Sequence, residues 1–211
     1  MTNSFIAIKG NFFNKAEEIF KTFKYVDTNQ DKQFNDWQEF NDYLFDNYFE
    51  LANKETAIRG IWTDNGWTII NDPEMVDTVD DEALIQLSRI LDTDIITFLI
   101  QTTSNSFGFT VYNKIIKRQF FVSGGEVTDN LDYPLEQENG LNINENIFSD
   151  DILKLAGKFG IDLEGKNKLT YTVKQLAYND EMKKELEQFN NRSKRQLAII
   201  SLGGSFGSEK S

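Results

Sequence analysis

Any chemistry in this chain has to come from carboxylates, hydroxyls, lysine and tyrosine, because its 211 residues include neither histidine nor cysteine. This composition removes the usual proton shuttle, thiolate nucleophiles, disulfides and the commonest zinc ligands. Carboxylates cluster between residues 72 and 82 and again at Asp92 and Asp94. A pair of them could bind Mg²⁺ or hydrolyse a sugar linkage by acid–base catalysis. Helix capping already accounts for residues 80–82, so a carboxylate-dependent hydrolase is an alternative and not the leading hypothesis.

A second oxygen-rich pattern lies at residues 27–38 and resembles the calcium-binding loop of an EF-hand, with flanking helices that extend the resemblance to residues 16–44. The resemblance implies calcium ligands at loop positions 1, 3, 5 and 9, which are Asp27, Asn29, Asp31 and Asn35. Two departures weaken it. Lys32 replaces the glycine of position 6, and Gln38 replaces the bidentate glutamate that closes the site. We therefore expect an ordinary polar loop between two helices, with weak calcium binding or none. No cofactor is expected, and calcium at this loop is the alternative.

Negative charge is concentrated in the middle of the chain. Residues 61–155 contain 5 basic and 17 acidic residues, whereas residues 1–60 contain 7 and 10 and residues 156–211 contain 10 and 7. Such a surface repels phosphate backbones and anionic lipids, so we expect no nucleic-acid or membrane partner. A solvated surface that aids solubility is the simpler interpretation. The functional interpretation is a docking site for a basic protein.

Hydrophobic periodicity predicts an α+β fold in which a single sheet, antiparallel or mixed, packs against several helices. The clearest pattern is at residues 57–70, where two β-rich arms surround Asp64, Asn65 and Gly66, a sequence typical of a tight hairpin turn. Further strands are predicted at 5–8, 94–102, 107–114 and 119–122 and, as an edge strand, at 169–173. Helices are predicted at 14–25, 36–53, 81–91, 149–159 and 180–195. Residues 126–147 are predicted to be a polar surface excursion with little regular structure.

The length favours one main domain. We expect residues 1–178 to form a single α+β domain, and residues 179–211 to form a charged C-terminal helix and a flexible tail rich in glycine and serine. The first residues lack a basic stretch followed by an apolar one, and no apolar run approaches the roughly 20 residues needed to span a bilayer. A cytoplasmic location is the expectation that follows.

Two tryptophans flank the hairpin turn. Trp62 and Trp67 either pack on one sheet face as core or present an exposed platform for a protein ligand. Together with Tyr133 they are the candidate aromatic anchors for a partner. The acidic contacts predicted beside them are Glu136, Glu138, Asp150 and Asp151.

Residues 60–75, together with the later Ser106-Phe107-Gly108-Phe109, are similar to sequences in uncharacterised bacterial protein families. As a small, acidic, aromatic-rich α+β protein, the chain resembles in general style the immunity proteins that neutralise toxins. This resemblance implies no particular functional residue. The leading hypothesis is a non-enzymatic, soluble protein-binding module that engages a basic protein, with a degenerate calcium-binding module or a carboxylate-dependent hydrolase as alternatives. The sequence does not indicate an oligomeric state.

Overall fold

The architecture is taken from a computed structural model, which describes residues 2–52 and 56–188. Its strands are β1 (Thr2–Lys9), β2 (Tyr25–Phe34), β3 (Thr56–Asp64), β4 (Trp67–Asn71), β5 (Ile95–Gln101), β6 (Ser106–Tyr112), β7 (Ile116–Ser123), β8 (Glu126–Leu131) and β9 (Tyr171–Tyr178). Its α-helices are α1 (Ala16–Thr22), α2 (Trp37–Ala52), α3 (Asp81–Leu91) and α4 (Ser149–Lys158). Residues 180–188 are also helical.

All of these strands belong to one sheet, in the order β2-β9-β3-β4-β1-β5-β6-β7-β8. Every neighbouring pair in this order is antiparallel. The predicted α+β fold with a single antiparallel sheet is therefore confirmed. Strands β2 and β8 form the two edges, so each has a neighbouring strand on one side only among the described residues.

The predicted hairpin is confirmed and lies near the middle of the sheet. β3 and β4 pair from Gly60 opposite Asn71 to Asp64 opposite Trp67. The two turn residues, Asn65 and Gly66, have φ of 47° and 80°, as a two-residue type I′ turn requires. The Asn-Gly sequence adopts this conformation readily, which explains why the turn can be predicted from the local sequence.

Both faces of the sheet carry a hydrophobic core, because successive strand side chains point to opposite faces. In β1, Phe5 and Ala7 pack in the core covered by α2 and α4, whereas Ile6 and Ile8 pack in the core covered by α1 and α3. The helices present matching apolar faces. In α3, the side chain of the N-cap residue Asp80 accepts the backbone N–H of Ala83 at 3.0 Å, and this cap defines where the helix begins.

The region predicted to be an interhelical loop, residues 27–35, is mostly the edge strand β2, so that prediction is wrong. The helix before it ends early, at Thr22, and Lys24 turns the chain with a φ of 66°. β2 then pairs with β9, where Asp27 lies opposite Leu176. Most β2 side chains face solvent. An edge strand tolerates this polar composition because only one side of its backbone is paired, and charged residues discourage pairing on the other side.

The predicted position of β9 in the sheet is also wrong. Residues 169–173 were expected at an edge, but β9 is internal and lies between β2 and β3. Its residues Tyr171 and Val173 are buried in the core under α2, which is why this strand alternates so regularly.

The predicted surface excursion begins with regular structure. Gly124 and Gly125, with φ of 61° and 87°, form a tight turn that returns the chain alongside β7 as β8. Only the stretch after Leu131 is largely irregular. Of the C-terminal helix predicted at 180–195, residues 180–188 are helical, and the remainder lies outside the described residues together with the predicted flexible end.

Candidate functional site

An uninterrupted run of acidic charge borders one edge of the sheet. Residues 126–151, called the acidic segment below, contain eight Asp and Glu residues and no Lys or Arg. The segment comprises β8, an irregular stretch with one 3₁₀ turn at Glu136–Glu138, and the beginning of α4. Its formal charge of −8 is most of the −12 of the whole chain. The carboxylates are Glu126, Asp129, Asp132, Glu136, Glu138, Glu145, Asp150 and Asp151.

One carboxylate of the acidic segment is buried and anchors the irregular stretch. Glu138 pairs with Arg118 of β7 through two parallel bonds, from Nε to Oε1 at 2.8 Å and from Nη2 to Oε2 at 2.9 Å. Its Oε1 also accepts the backbone N–H of Leu135 at 2.8 Å. A bidentate pair of this kind specifies orientation as well as adding energy. Glu138 therefore holds the segment on the sheet, and its burial leaves no free carboxylate for the partner contact predicted from sequence.

Arg118 also fixes the position of β8. Its Nη1 donates to Asn130 Oδ1 at 2.8 Å and to the backbone carbonyl of Leu131 at 3.1 Å. The guanidinium lies over the rings of Phe109 and Phe120, with centroid distances of 5.7 and 5.6 Å. Every part of this cation is thus engaged by protein atoms. The acidic segment is consequently held on a defined framework.

The other predicted contacts in the acidic segment differ in accessibility. Glu136 and Asp150 are exposed, and Tyr133 is 86% exposed. Asp151 is half-buried, and its Oδ2 accepts the backbone N–H of Phe148 at 3.2 Å, at the start of α4. A carboxylate there also interacts favourably with the positive end of the helix dipole. Asp151 therefore has a structural role, and Tyr133, Glu136 and Asp150 remain available to a partner.

Apolar side chains are exposed in the same segment. Val127 and Leu131 of β8 are 41% and 48% exposed, and Phe148, just before α4, is 58% exposed. Single exposed apolar residues are common on protein surfaces. Here they occur in the same short stretch as Tyr133 and the exposed carboxylates. The acidic segment thus combines charge with side chains that can be buried on binding.

Trp62 and Trp67 are core residues, and neither forms an exposed platform. Trp62 is 1% exposed and makes edge-on contacts with the rings of Phe5 and Phe40. Trp67 is also buried, and its Nε1–H donates to the backbone carbonyl of Phe159 at 3.1 Å. Their aromatic area is already used within the fold, so a partner could reach them only after the core opened.

Two of the four residues of the EF-hand-like pattern, Asp27 and Asp31, converge on a lysine. Lys174 of β9 donates to Asp27 Oδ2 and Asp31 Oδ2, both at 2.8 Å. Burial opposes the charge of this lysine, but hydrogen bonds to the two aspartates hold its pKa above the ordinary value. Asn35 Oδ1 instead accepts the hydroxyl of Thr170 at 3.1 Å. An ammonium group therefore occupies the position between the aspartates where a cation would have to lie.

The central carboxylates surround a buried arginine. Arg59 of β3 is fully buried, and its guanidinium contacts Asp77 Oδ2 at 2.6 Å, Glu74 Oε2 at 2.6 Å and Asp72 Oδ1 at 3.3 Å. Tyr25 accepts from Arg59 Nη2 at 2.8 Å and donates to Asp77 Oδ1 at 2.9 Å. Burial raises the pKa of Asp77 to about 6, although Arg59 opposes the shift. The two aspartates are buried, and the network links β2 and β3 to the chain that follows β4.

Sequence reasoning missed Arg59 and Arg118, the two cations that organise the carboxylates. Each lies inside an otherwise β-rich stretch, where an unpaired charge would be very costly. An arginine in such a place signals a buried acidic partner, although the sequence does not say which one. Among residues 2–52 and 56–188, no group of three or more Asp or Glu side chains is positioned to hold a metal ion.

Comparisons with protein-family models, curated proteins and solved structures find no match to this chain. None of the helices within the described ranges is long and apolar enough to cross a membrane.

Proposed function

We propose that this chain is a non-enzymatic binding protein that engages a basic protein partner through the acidic segment, in the manner of an inhibitor or immunity protein. One observation carries the proposal. Among the described residues, Glu138 is the single carboxylate of the acidic segment that forms an ion pair within 4 Å, so the other seven are not neutralised by a described cation.

The electrostatic argument concerns the rate of association more than affinity. Like charges that follow one another in a short segment repel one another, and a cationic surface that approaches them relieves this repulsion. Such complementarity accelerates encounter and suppresses wrong partners, whereas exposed charge pairs add little to final affinity. The affinity then has to come from apolar burial. Val127, Leu131, Tyr133 and Phe148 are the exposed apolar side chains that support this part of the proposal.

The proposal is tested by neutralising exposed carboxylates in the acidic segment. The variant carries Asp132→Asn, Glu136→Gln and Asp150→Asn, which together remove three negative charges without touching Glu138 or Asp151. The partner is first isolated by affinity capture from a native lysate, and association is then measured by stopped flow at low and high ionic strength. We expect the association rate at low salt to fall on the order of tenfold, with a weaker salt dependence.

A matched control removes three negative charges elsewhere. Glu39→Gln, Asp42→Asn and Asp46→Asn alter exposed residues of α2, which covers the sheet far along the strand order from β8. Its association rate is expected to stay within about twofold of the wild type, because screening limits the reach of exposed charges to about 10 Å. Equal rates for the wild type and the first variant, with no salt dependence, would contradict the proposed function.

A further inference from the structure

We propose that the partner docks by adding an extended, basic segment as a further strand along the edge of β8, which no strand of the described residues covers. This inference rests on the proposed function and specifies how the acidic segment would be used. An edge strand presents unpaired backbone N–H and C=O groups, and another chain can pair with them. The choice between the two edges, β2 and β8, follows from their backbones and charges.

The β2 edge is poorly suited to strand addition. Its register with β9 shifts between Asp27 and Gln30, and Asn29 has a φ of 57°, so the strand is locally kinked. Lys32 adds a positive charge, and bulges and lysines are common devices that protect an edge from further pairing. The kink at Asn29 and the charge of Lys32 therefore both disfavour an added strand at β2.

The β8 edge also has a bulge, but it lacks the lysine and the positive φ found in β2. Its register with β7 also shifts once, at Thr128, but none of its six residues has a positive φ, and all of them are exposed. It contains no proline, lysine or arginine. Asp132, with a φ of 69°, ends the extended conformation immediately after the strand. β8 thus offers a short extended backbone with acidic side chains.

The turn before β8 indicates which backbone groups point outward. Ser123 and Glu126 flank the two-residue turn and are paired across it, so they form the hydrogen-bonded closing pair of the hairpin. Hydrogen-bonded and non-hydrogen-bonded pairs alternate along an antiparallel ladder. Val127, opposite Val122, is therefore in a non-hydrogen-bonded pair, and its N–H and C=O point away from β7. These are groups that an added strand would bond.

Charge determines the kind of strand that fits. Glu126 and Asp129 lie on β8, so a second copy of this edge would place carboxylates near carboxylates, which is unfavourable across a strand pair. A segment with lysine or arginine at alternating positions instead places opposite charges across from each other. Asp129 also lines a groove of about 310 Å³ on the sheet face, together with Thr128 and Phe121. A long basic side chain of the added strand can lie in this groove beside Asp129.

The first test uses a defined probe and the wild-type protein. The probe is an eight-residue peptide of alternating lysine and threonine with blocked ends, and its control replaces every lysine with glutamate. Amide hydrogen exchange is followed by NMR. We expect the Val127 amide to exchange at least about tenfold more slowly with saturating lysine peptide, and not with the glutamate peptide, because a new backbone hydrogen bond protects it. Unchanged exchange at Val127 would overturn strand addition.

The second test alters the edge and uses the captured partner. Val127→Pro removes the outward N–H without breaking the pairing with β7, since proline is tolerated on an edge strand when its nitrogen faces solvent. Val127→Thr keeps both the N–H and the branched shape. We expect the proline variant to bind the partner at least about tenfold more weakly and the threonine variant to bind within about threefold of the wild type.

These outcomes separate the two proposals. If the proline variant binds as tightly as the threonine variant while the charge-neutralised variant associates slowly, strand addition is overturned and the proposed function stands. If all variants bind like the wild type, the acidic segment is not the docking surface and both proposals fail. The amide-exchange test uses unaltered protein and decides the question even if the proline variant does not fold.

Discussion

Replacing Arg59 with methionine should destabilise the protein more than almost any other single change. Methionine fills a similar volume without charge or hydrogen bonds. In the wild type, the arginine lies within 3.3 Å of the carboxylates of Asp72, Asp77 and Glu74. The substitution leaves these three carboxylates without a cation. Removing one partner of a buried ion pair costs about 3 to 5 kcal/mol, because the remaining charge is uncompensated. That is a large part of the roughly 5 to 15 kcal/mol that holds a typical domain folded.

The cost should depend on pH. The folded-state pKa of Asp77 is about 6 against an ordinary value of 3.8, so its folded form binds a proton more tightly than its unfolded form. The stability that protonated Asp77 contributes to the folded state is fully present below pH 3.8 and is lost as the pH rises through about 6. Without Arg59 the carboxylates repel one another unopposed, and protonation becomes more favourable still. We therefore expect Arg59→Met to cost more at pH 7 than at pH 5.

Urea unfolding at both pH values measures these costs. Arg89→Met is a suitable control, because Arg89 is an exposed arginine of α3 and its loss should cost less than about 1 kcal/mol. Adding Asp77→Asn to the Arg59 variant should recover part of the lost stability at pH 7, since it removes one unpaired charge. A cost below about 1 kcal/mol at pH 7, or one that does not change with pH, would refute this account of the network.

The remaining predictions concern the anchor of the acidic segment and the EF-hand-like residues. Glu138→Gln should lower the free energy of unfolding by about 3 kcal/mol, measured by urea unfolding, because it leaves a buried arginine without a counter-charge; a change below about 1 kcal/mol would argue against the anchoring role. Calorimetric titration with calcium should detect no site tighter than about 10⁻⁵ M, because Lys174 already pairs with Asp27 and Asp31. A tighter site that disappears in Asp27→Ala would contradict this expectation.

Elements with strong local signals are predictable from this sequence. The turn at Asn65 and Gly66 needs residues that adopt positive φ, and the helix that begins after Asp80 has a capping side chain followed by apolar residues at helical spacing. These patterns involve residues close together in the chain. They do not depend on which distant strand lies alongside.

Long-range pairing is what the sequence does not reveal. Asp27 and Lys174 are 147 residues apart, and only the pairing of β2 with β9 brings them together. Without that knowledge, a stretch rich in Asp, Asn and Gln is indistinguishable from a loop. The same limitation applies to burial of the predicted site residues. The sequence reveals the charge of Glu138 and the size of Trp62, but the side chains that enclose them come from other strands and helices.

The insertion of β9 between β2 and β3 also has a consequence for protein synthesis. Of this pair β2 leaves the ribosome first, and β9, its one neighbouring strand among the described residues, is the last of the described strands to be made. About 140 residues separate them, which corresponds to roughly 7 to 30 seconds at 5 to 20 residues per second. During that interval the nascent chain holds an unpaired strand that other nascent chains could capture. The charged residues Asp27, Asp31 and Lys32 make β2 a poor template for such pairing, and they keep the strand available until β9 emerges.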